Sequence, residues 1–254
     1  MRLATIMRKD TSRAGISRAM SFLHLPIALA MVSLAEPTHA GLLASSGTEP
    51  SPDASSGTVT AGALGAEIDR WLKAADFHGN HLLASNGVVL FRKGYGNSDR
   101  EKGVPYDVAT VFSIGSITKQ FTAAAILKLE MQGKLHVEDT LVKHLSGVPE
   151  DKRGITLHQL LTHTSGLESD FADDFDSVGR DEYVGRILAS KLRSKPGETY
   201  FYANSGHSLL GAIIETVSGK PYEHFLRENL FLPAGMKETG YRLPGWDLQR
   251  IAVG

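Results

Sequence analysis

Cysteine is absent from the 254-residue chain. That excludes a disulfide framework, thiolate zinc sites, thiol catalysis and lipid attachment through cysteine. An excess of charge of one sign is missing too, since the formal net charge is −1. Residues 1–40 hold five basic groups (Arg2, Arg8, Lys9, Arg13, Arg18) and two acidic ones (Asp10, Glu36), leaving 22 basic against 26 acidic in the rest. Such a mildly acidic remainder has no electrostatic footprint for nucleic acid or an anionic membrane surface. Nor is there a clean apolar run of the ~20 residues that a membrane span needs. The best attempt, Met20–Ala35, is interrupted by His24 and Pro26.

What is present is an ordinary globular composition, 42% hydrophobic and 22% charged, long enough for one large domain or two small ones. A basic stretch up to Arg18 precedes the Met20–Ala35 run, and Thr38-His39-Ala40 closes it with small outer residues. This is the layout of a secretory signal peptide, with cleavage expected after Ala40. The expected product is secreted or periplasmic, with no stable membrane anchor after cleavage. The long basic stretch also allows translation to begin at Met7 or Met20. Residues 41–62, rich in Ser, Gly, Ala, Thr and Pro, read as a flexible leader. Residues 63–254 form the folded domain.

Within that domain Leu64, Ile68, Trp71 and Leu72 make one helical stripe. The segments His81–Leu90 and Phe91–Tyr95 have strand character, with Asn86-Gly87 between Ser85 and Val88 as a tight turn. From Ser116 to Met131 a helix pattern is apolar nearly all round, which predicts burial in the middle of a larger body. Thr156-Leu-His-Gln159 is a capping box that opens a helix stopping near Gly166. Ser205–Ser218 carries Leu210, Ile213, Ile214 and Val217 at helical spacing and ends at Gly219, and Pro221 opens another helix with Tyr222, Phe225 and Leu226 on one face. The pattern is α+β: helix, hairpin, buried helix, then a helical block. Two strands alone make a marginal sheet, so further strands are expected.

The chemistry centres on Ser116 and Lys119. A serine hydroxyl needs a neighbouring base, and a Lys three residues on along a helix brings its amine to the same face. Desolvation against an apolar helix favours the neutral amine, and a serine at the first turn offers its own N–H to an oxyanion. One Ser-x-x-Lys is about what chance supplies in such a chain. On that motif alone a plain helix N-cap is therefore the better reading of Ser116. Tyr202-Ala-Asn204 shifts the balance: a tyrosine near the lysine can shuttle a proton, and an amide two residues on can hold the amine or a substrate carbonyl. By themselves Tyr202 reads as an aromatic strand residue and Asn204 as a helix cap.

Phe112-Ser-Ile-Gly-Ser116-Ile-Thr-Lys119-Gln-Phe-Thr, Leu160-Leu-Thr-His163-Thr-Ser-Gly166-Leu and Tyr202-Ala-Asn204 follow in an order and spacing that resembles the beta-lactamase-related serine hydrolases. That family comprises class C beta-lactamases, D-alanyl-D-alanine carboxypeptidases and esterases of the same fold. Phe231-Leu-Pro-Ala-Gly-Met236 is similar to the loop after the tyrosine helix. The likeness covers about residues 64–254. It implies a beta-lactamase/transpeptidase-like fold, an α/β sandwich plus helical block. It also implies Ser116 as acylated nucleophile, Lys119 as its partner, Tyr202 as general base and acid, and Asn204 as a substrate contact. Substrates would be beta-lactams, D-Ala-D-Ala peptides of peptidoglycan or small esters, without cofactor or metal.

One part of the family pattern is missing. A Lys/His-x-Gly on a later strand, whose backbone gives the second oxyanion donor, has no match after Tyr202, and Lys237-Glu-Thr-Gly240 is a near miss. The chain is expected to be truncated, with its C-terminal strands absent. A non-catalytic remnant, or a ligand-binding or interaction protein of the same fold, is the alternative. By the same likeness His163 shapes a loop. With His158 it has the wrong spacing for a shared metal. Asp170, Asp173, Asp174 and Asp176 read as a solvated loop rather than a calcium site.

Overall fold

The computed structural model describes residues 58–60, 62–86, 88–172, 178–241 and 245–253. The expected signal peptide, nearly all of the leader, Gly87, and Asp173, Asp174 and Asp176 lie outside the described residues.

The chain builds a thin sheet layer and a thick helical block. The layer begins with strand β1 (Val59–Thr60) and helix α1 (Gly62–Ala74), followed by β2 (Gly79–Ser85) and β3 (Val88–Tyr95). All pairings are antiparallel, in the order β1-β3-β2. Ser85 pairs with Val88, so the two-residue link falls where Asn-Gly predicted it, and Asn86 takes a positive φ of 50°. The end of the expected leader is thus ordered, because Val59 and Thr60 complete β3 along its free edge. A small two-stranded sheet of β4 (Asn97–Asp99) and β5 (Val104–Pro105) follows. Gly94 is required there, because a Cβ would lie 2.4 Å from the Tyr106 carbonyl oxygen.

The α1 stripe is only half used. Leu72 is buried and Ile68 packs beside it, whereas Leu64 and Trp71 are 51% and 67% exposed. The layer's core is correspondingly small: Leu72, Phe91 and Tyr95. Polar ties supplement it. Asp69 on α1 accepts from Lys93 Nζ at 2.6 Å and Tyr95 Oη at 2.7 Å on β3, and pairs with Lys73 at 2.7 Å.

The block holds α2 (Thr118–Met131), α3 (Leu157–Leu161), α4 (Arg180–Ala189), α5 (Asn204–Ser218) and α6 (Tyr222–Leu226). Its core joins Ala125, Ile126 and Leu129 of α2 to Leu157 and Leu160 of α3 and to Leu209, Leu210, Ile213 and Ile214 of α5. The capping box forms as expected: Gln159 N donates to Thr156 Oγ1 at 3.2 Å and Thr156 N to Gln159 Oε1 at 3.1 Å. Gly219 ends α5 in the left-handed conformation at φ 68°, and Tyr222, Phe225 and Leu226 share a buried face. The expectation that α2 is buried all round is corrected. It packs on α5 and α6 with one face, and Leu127 and Met131 on the other are 49% and 82% exposed.

The last described residues are not loose either. Val111 pairs with Ile251 in a parallel bridge, Ala252 N donates to the Val111 carbonyl and Val253 N to the Ser98 carbonyl. They flank the strand-like approach to Ser116.

Candidate active site

Ser116 lies in a single 3-10 turn, Gly115–Ile117, that leads directly into α2. It is not the helix cap; that position belongs to Ile117, and no side chain caps it. Instead Ser116 Oγ receives two donors, Lys119 Nζ at 3.0 Å and Tyr202 Oη at 2.7 Å. The i, i+3 spacing puts the amine over the hydroxyl as expected. Lys119 is half-buried, not enclosed by the helix's apolar body, and Ser116 is exposed. Lys119 Nζ also lies 4.8 Å from the centre of the Tyr202 ring.

Tyr202 reaches Ser116 across 86 residues because its segment is pinned on both sides. Residues 199–203 are extended but belong to no sheet, which corrects the strand reading of Tyr202. Their partner is the loop 163–169. Phe201 N donates to the His163 carbonyl at 2.8 Å, Ala203 N to His163 Nδ1 at 3.2 Å, and Ser205 N to the Ser169 carbonyl at 2.7 Å. Asn204 N also donates to Ser169 Oγ at 3.4 Å, so the segment is tied to the loop on either side of Tyr202. Further along, Arg193 N donates to the Gly166 carbonyl and Gly197 N to the Thr164 carbonyl, both at 2.8 Å. Gly166 has φ 75°, and a Cβ there would come within 2.2 Å of the Ser194 carbonyl oxygen.

Electrostatics favour an ionisable Tyr202. Burial opposes loss of its proton, but the Lys119 ammonium and the bond to Ser116 outweigh that and hold the phenol below its usual range. Asn204 is the one predicted site residue the structure treats differently. It is the first residue of α5, not its cap, and its Nδ2 donates to Asp170 Oδ1 at 2.7 Å. One of its two amide N–H donors is thereby occupied, leaving the other and the carbonyl oxygen for a ligand. Asp170 was read from sequence as part of a solvated acidic loop; its neighbourhood to Tyr202 carried no local signal.

Lys237–Gly240, the near miss for the third motif, lies in turns after Phe231 and forms no strand. A separate hollow of about 910 Å³ is lined by Lys152 and Arg180 among others. Both cations are already engaged, Lys152 with Asp151 and the Ser190 carbonyl, Arg180 with Glu215.

A serine lies between an amine and a tyrosine at the entrance of a helix, in a block of helices beside an antiparallel sheet. The comparisons with known proteins agree in family. The beta-lactamase family profile matches residues 80–252, and the chain belongs to that family. The Bacillus subtilis (strain 168) protein PbpX, named as a penicillin-binding protein, is 35% identical over 175 residues, 69% of this chain and 44% of its own. The crystal structure of FmtA from Staphylococcus aureus superposes with a TM-score of 0.66 at 25% identity, over 76% of this chain and 56% of that one. The beta-lactamase/D-alanine carboxypeptidase of Yersinia pestis gives 0.58 at 27% identity, over 64% and 50%. The fold is of the beta-lactamase/transpeptidase-like kind, as the motifs implied. The chain spans less than half the length of the curated relatives it matches.

Proposed function

We propose that this chain is an exported serine hydrolase that forms an acyl-enzyme at Ser116. The observation that carries the reading is the placement of Ser116 Oγ between Lys119 Nζ and Tyr202 Oη. Tyr202, its phenolate favoured by the Lys119 ammonium, takes the serine proton as Oγ bonds to the substrate carbonyl carbon. The resulting oxyanion is met by the Ser116 N–H at the start of the helix. As that intermediate collapses, Tyr202 returns the proton to the leaving group, and water then opens the acyl-enzyme by the reverse relay. The export expectation rests on the N-terminal pattern of residues 1–40.

Substrates of this reading are beta-lactams, D-Ala-D-Ala peptides or small esters. Incubation with a labelled penicillin or a fluorophosphonate is expected to add one mass increment on Ser116, absent from Ser116→Ala. A folded chain that takes up neither reagent overturns the reading and leaves a non-catalytic member of the fold.

A further inference from the structure

His163 contacts the relay's tyrosine and holds the residue on either side of it. Its carbonyl accepts from Phe201 N at 2.8 Å and its Nδ1 from Ala203 N at 3.2 Å. Its ring stacks on Tyr202, 4.6 Å between centroids and 30° between planes. The backbone that achieves this is uncommon: His163 has φ 58°, in the left-handed region that few non-glycine residues enter. His163 also stacks on His207 of α5, at 4.9 Å and 28°, so three rings run from the site into the block. His207 is buried, and its Nδ1 has no hydrogen-bond partner.

We propose that His163 is the positioning residue of Tyr202 and that it works only as a neutral imidazole. The inference rests on the acyl-enzyme reading above. A neutral ring accepts the Ala203 N–H at Nδ1 and keeps its proton on Nε2; a charged ring carries protons on both nitrogens and cannot accept. Protonation therefore removes one of the two bonds that flank Tyr202.

The surroundings keep the ring neutral near pH 7. Burial, then the Lys119 charge, hold His163 below its ordinary 6.5. Burial, then His163 and Lys119, push His207 down to about 4. The other charged groups near are Asp170, bound to Asn204, and Arg193, which covers the Phe201 ring at 3.8 Å and pairs with Glu168. His163 thus charges only below its ordinary 6.5, and His207 only near about 4.

The test uses two variants of the whole chain and one titration. Asn tolerates positive φ and its Oδ1 can accept the Ala203 N–H, but it has no ring and does not titrate. His163→Asn is expected to slow fluorophosphonate labelling of Ser116 at pH 7.5 by about 10- to 100-fold, the scale of a misplaced catalytic group. It should also abolish the acid-side step below pH 6.5. His163→Phe keeps a ring without an acceptor and should lose the same step; if it fails to fold, His163→Asn decides. Labelling of His163→Asn at the parent rate with the parent pH profile overturns the proposal. Imidazole NMR showing His163 charged at pH 7 overturns it as well. If the parent takes no label, the acyl-enzyme reading fails separately. The inference is then judged by NMR alone: Tyr202 ring signals that move as His163 charges support it, and signals that ignore that titration overturn it.

Discussion

The helical block and the sheet layer are sealed to different depths. Among the described residues the block buries a continuous core of twenty side chains, from Ala125 to Phe231. The layer buries three, and it leans on a polar cluster in which Asp69 ties α1 to β3. Every candidate site group stands on the block's side of this division: Ser116 and Lys119 at the entrance of α2, Tyr202 and Asn204 at the start of α5, His163 in the loop after α3. The site's geometry is therefore inherited from helix packing and from the zipper between loop 163–169 and residues 201–205. Among the described residues the layer supplies none of these groups.

The sharpest way to break this comparison is a cavity in the block. Leu210 on α5 is fully buried within the core shared with α2 and α3. Leu210→Ala is expected to cost about 2–5 kcal/mol of global stability. Urea unfolding should show a lowered midpoint with an unchanged slope. Ser116 labelling should fall in step with the folded fraction, because α5 carries Tyr202 into place. In the layer, Leu83 on β2 is only half-buried against the small cluster. Leu83→Ala is expected to cost about 1 kcal/mol. Hydrogen exchange should quicken at β2 and β3 amides while α5 amides and the labelling rate hold. Equal global losses from both substitutions would show one cooperative unit instead of two depths of packing.

Smaller again is the capping box of α3. Thr156→Ala removes the acceptor for Gln159 N and should cost about 1 kcal/mol. Because α3 leads into His163, the loss should also register in the exchange of the Phe201 and Ala203 amides.

Local chemistry explains which features were readable beforehand. Asn-Gly, the capping box, Gly219 and the i, i+3 pair of Ser116 and Lys119 each act within a few residues, so spacing alone locates them. Tyr202 was legible only through the order of three motifs, since what joins it to Ser116 is a fold-level contact. The misses share one cause: a helix's apolar positions do not say which of them meets a partner. The Leu64 and Trp71 side of α1 and the Leu127 and Met131 side of α2 look the same in sequence as the covered faces, yet stand exposed. The Asn204–Asp170 bond and the His163 clamp were equally silent, because both depend on how a loop returns to an extended segment 34 to 40 residues away.

Acid should sharpen the comparison with the smallest effect, confined to low pH. In the block Asp139 accepts from Lys143 Nζ at 2.6 Å and the His136 N–H at 2.9 Å, and lies 2.9 Å from His144 Nε2. Burial opposes its ionisation, but these partners win and hold its carboxyl down to about 2. In the layer Asp69 is held low first by Lys73, then by Lys93 and Tyr95. Both pKa values lie below the unfolded value of 3.8, so each carboxylate stabilises the fold fully above that value. The contribution drains as pH falls through the folded value. Between pH 6 and 4 the melting temperature of Asp139→Asn should run parallel to that of the parent. From pH 4 to 2 the parent should fall more steeply, because only it has this carboxylate to protonate. Asp69→Asn should remove the corresponding acid step from β3 amide exchange while leaving α5 exchange untouched. If acid loosened α5 and β3 amides together in the parent, the layer and the block would be a single cooperative structure, and the division on which the site's independence rests would be wrong.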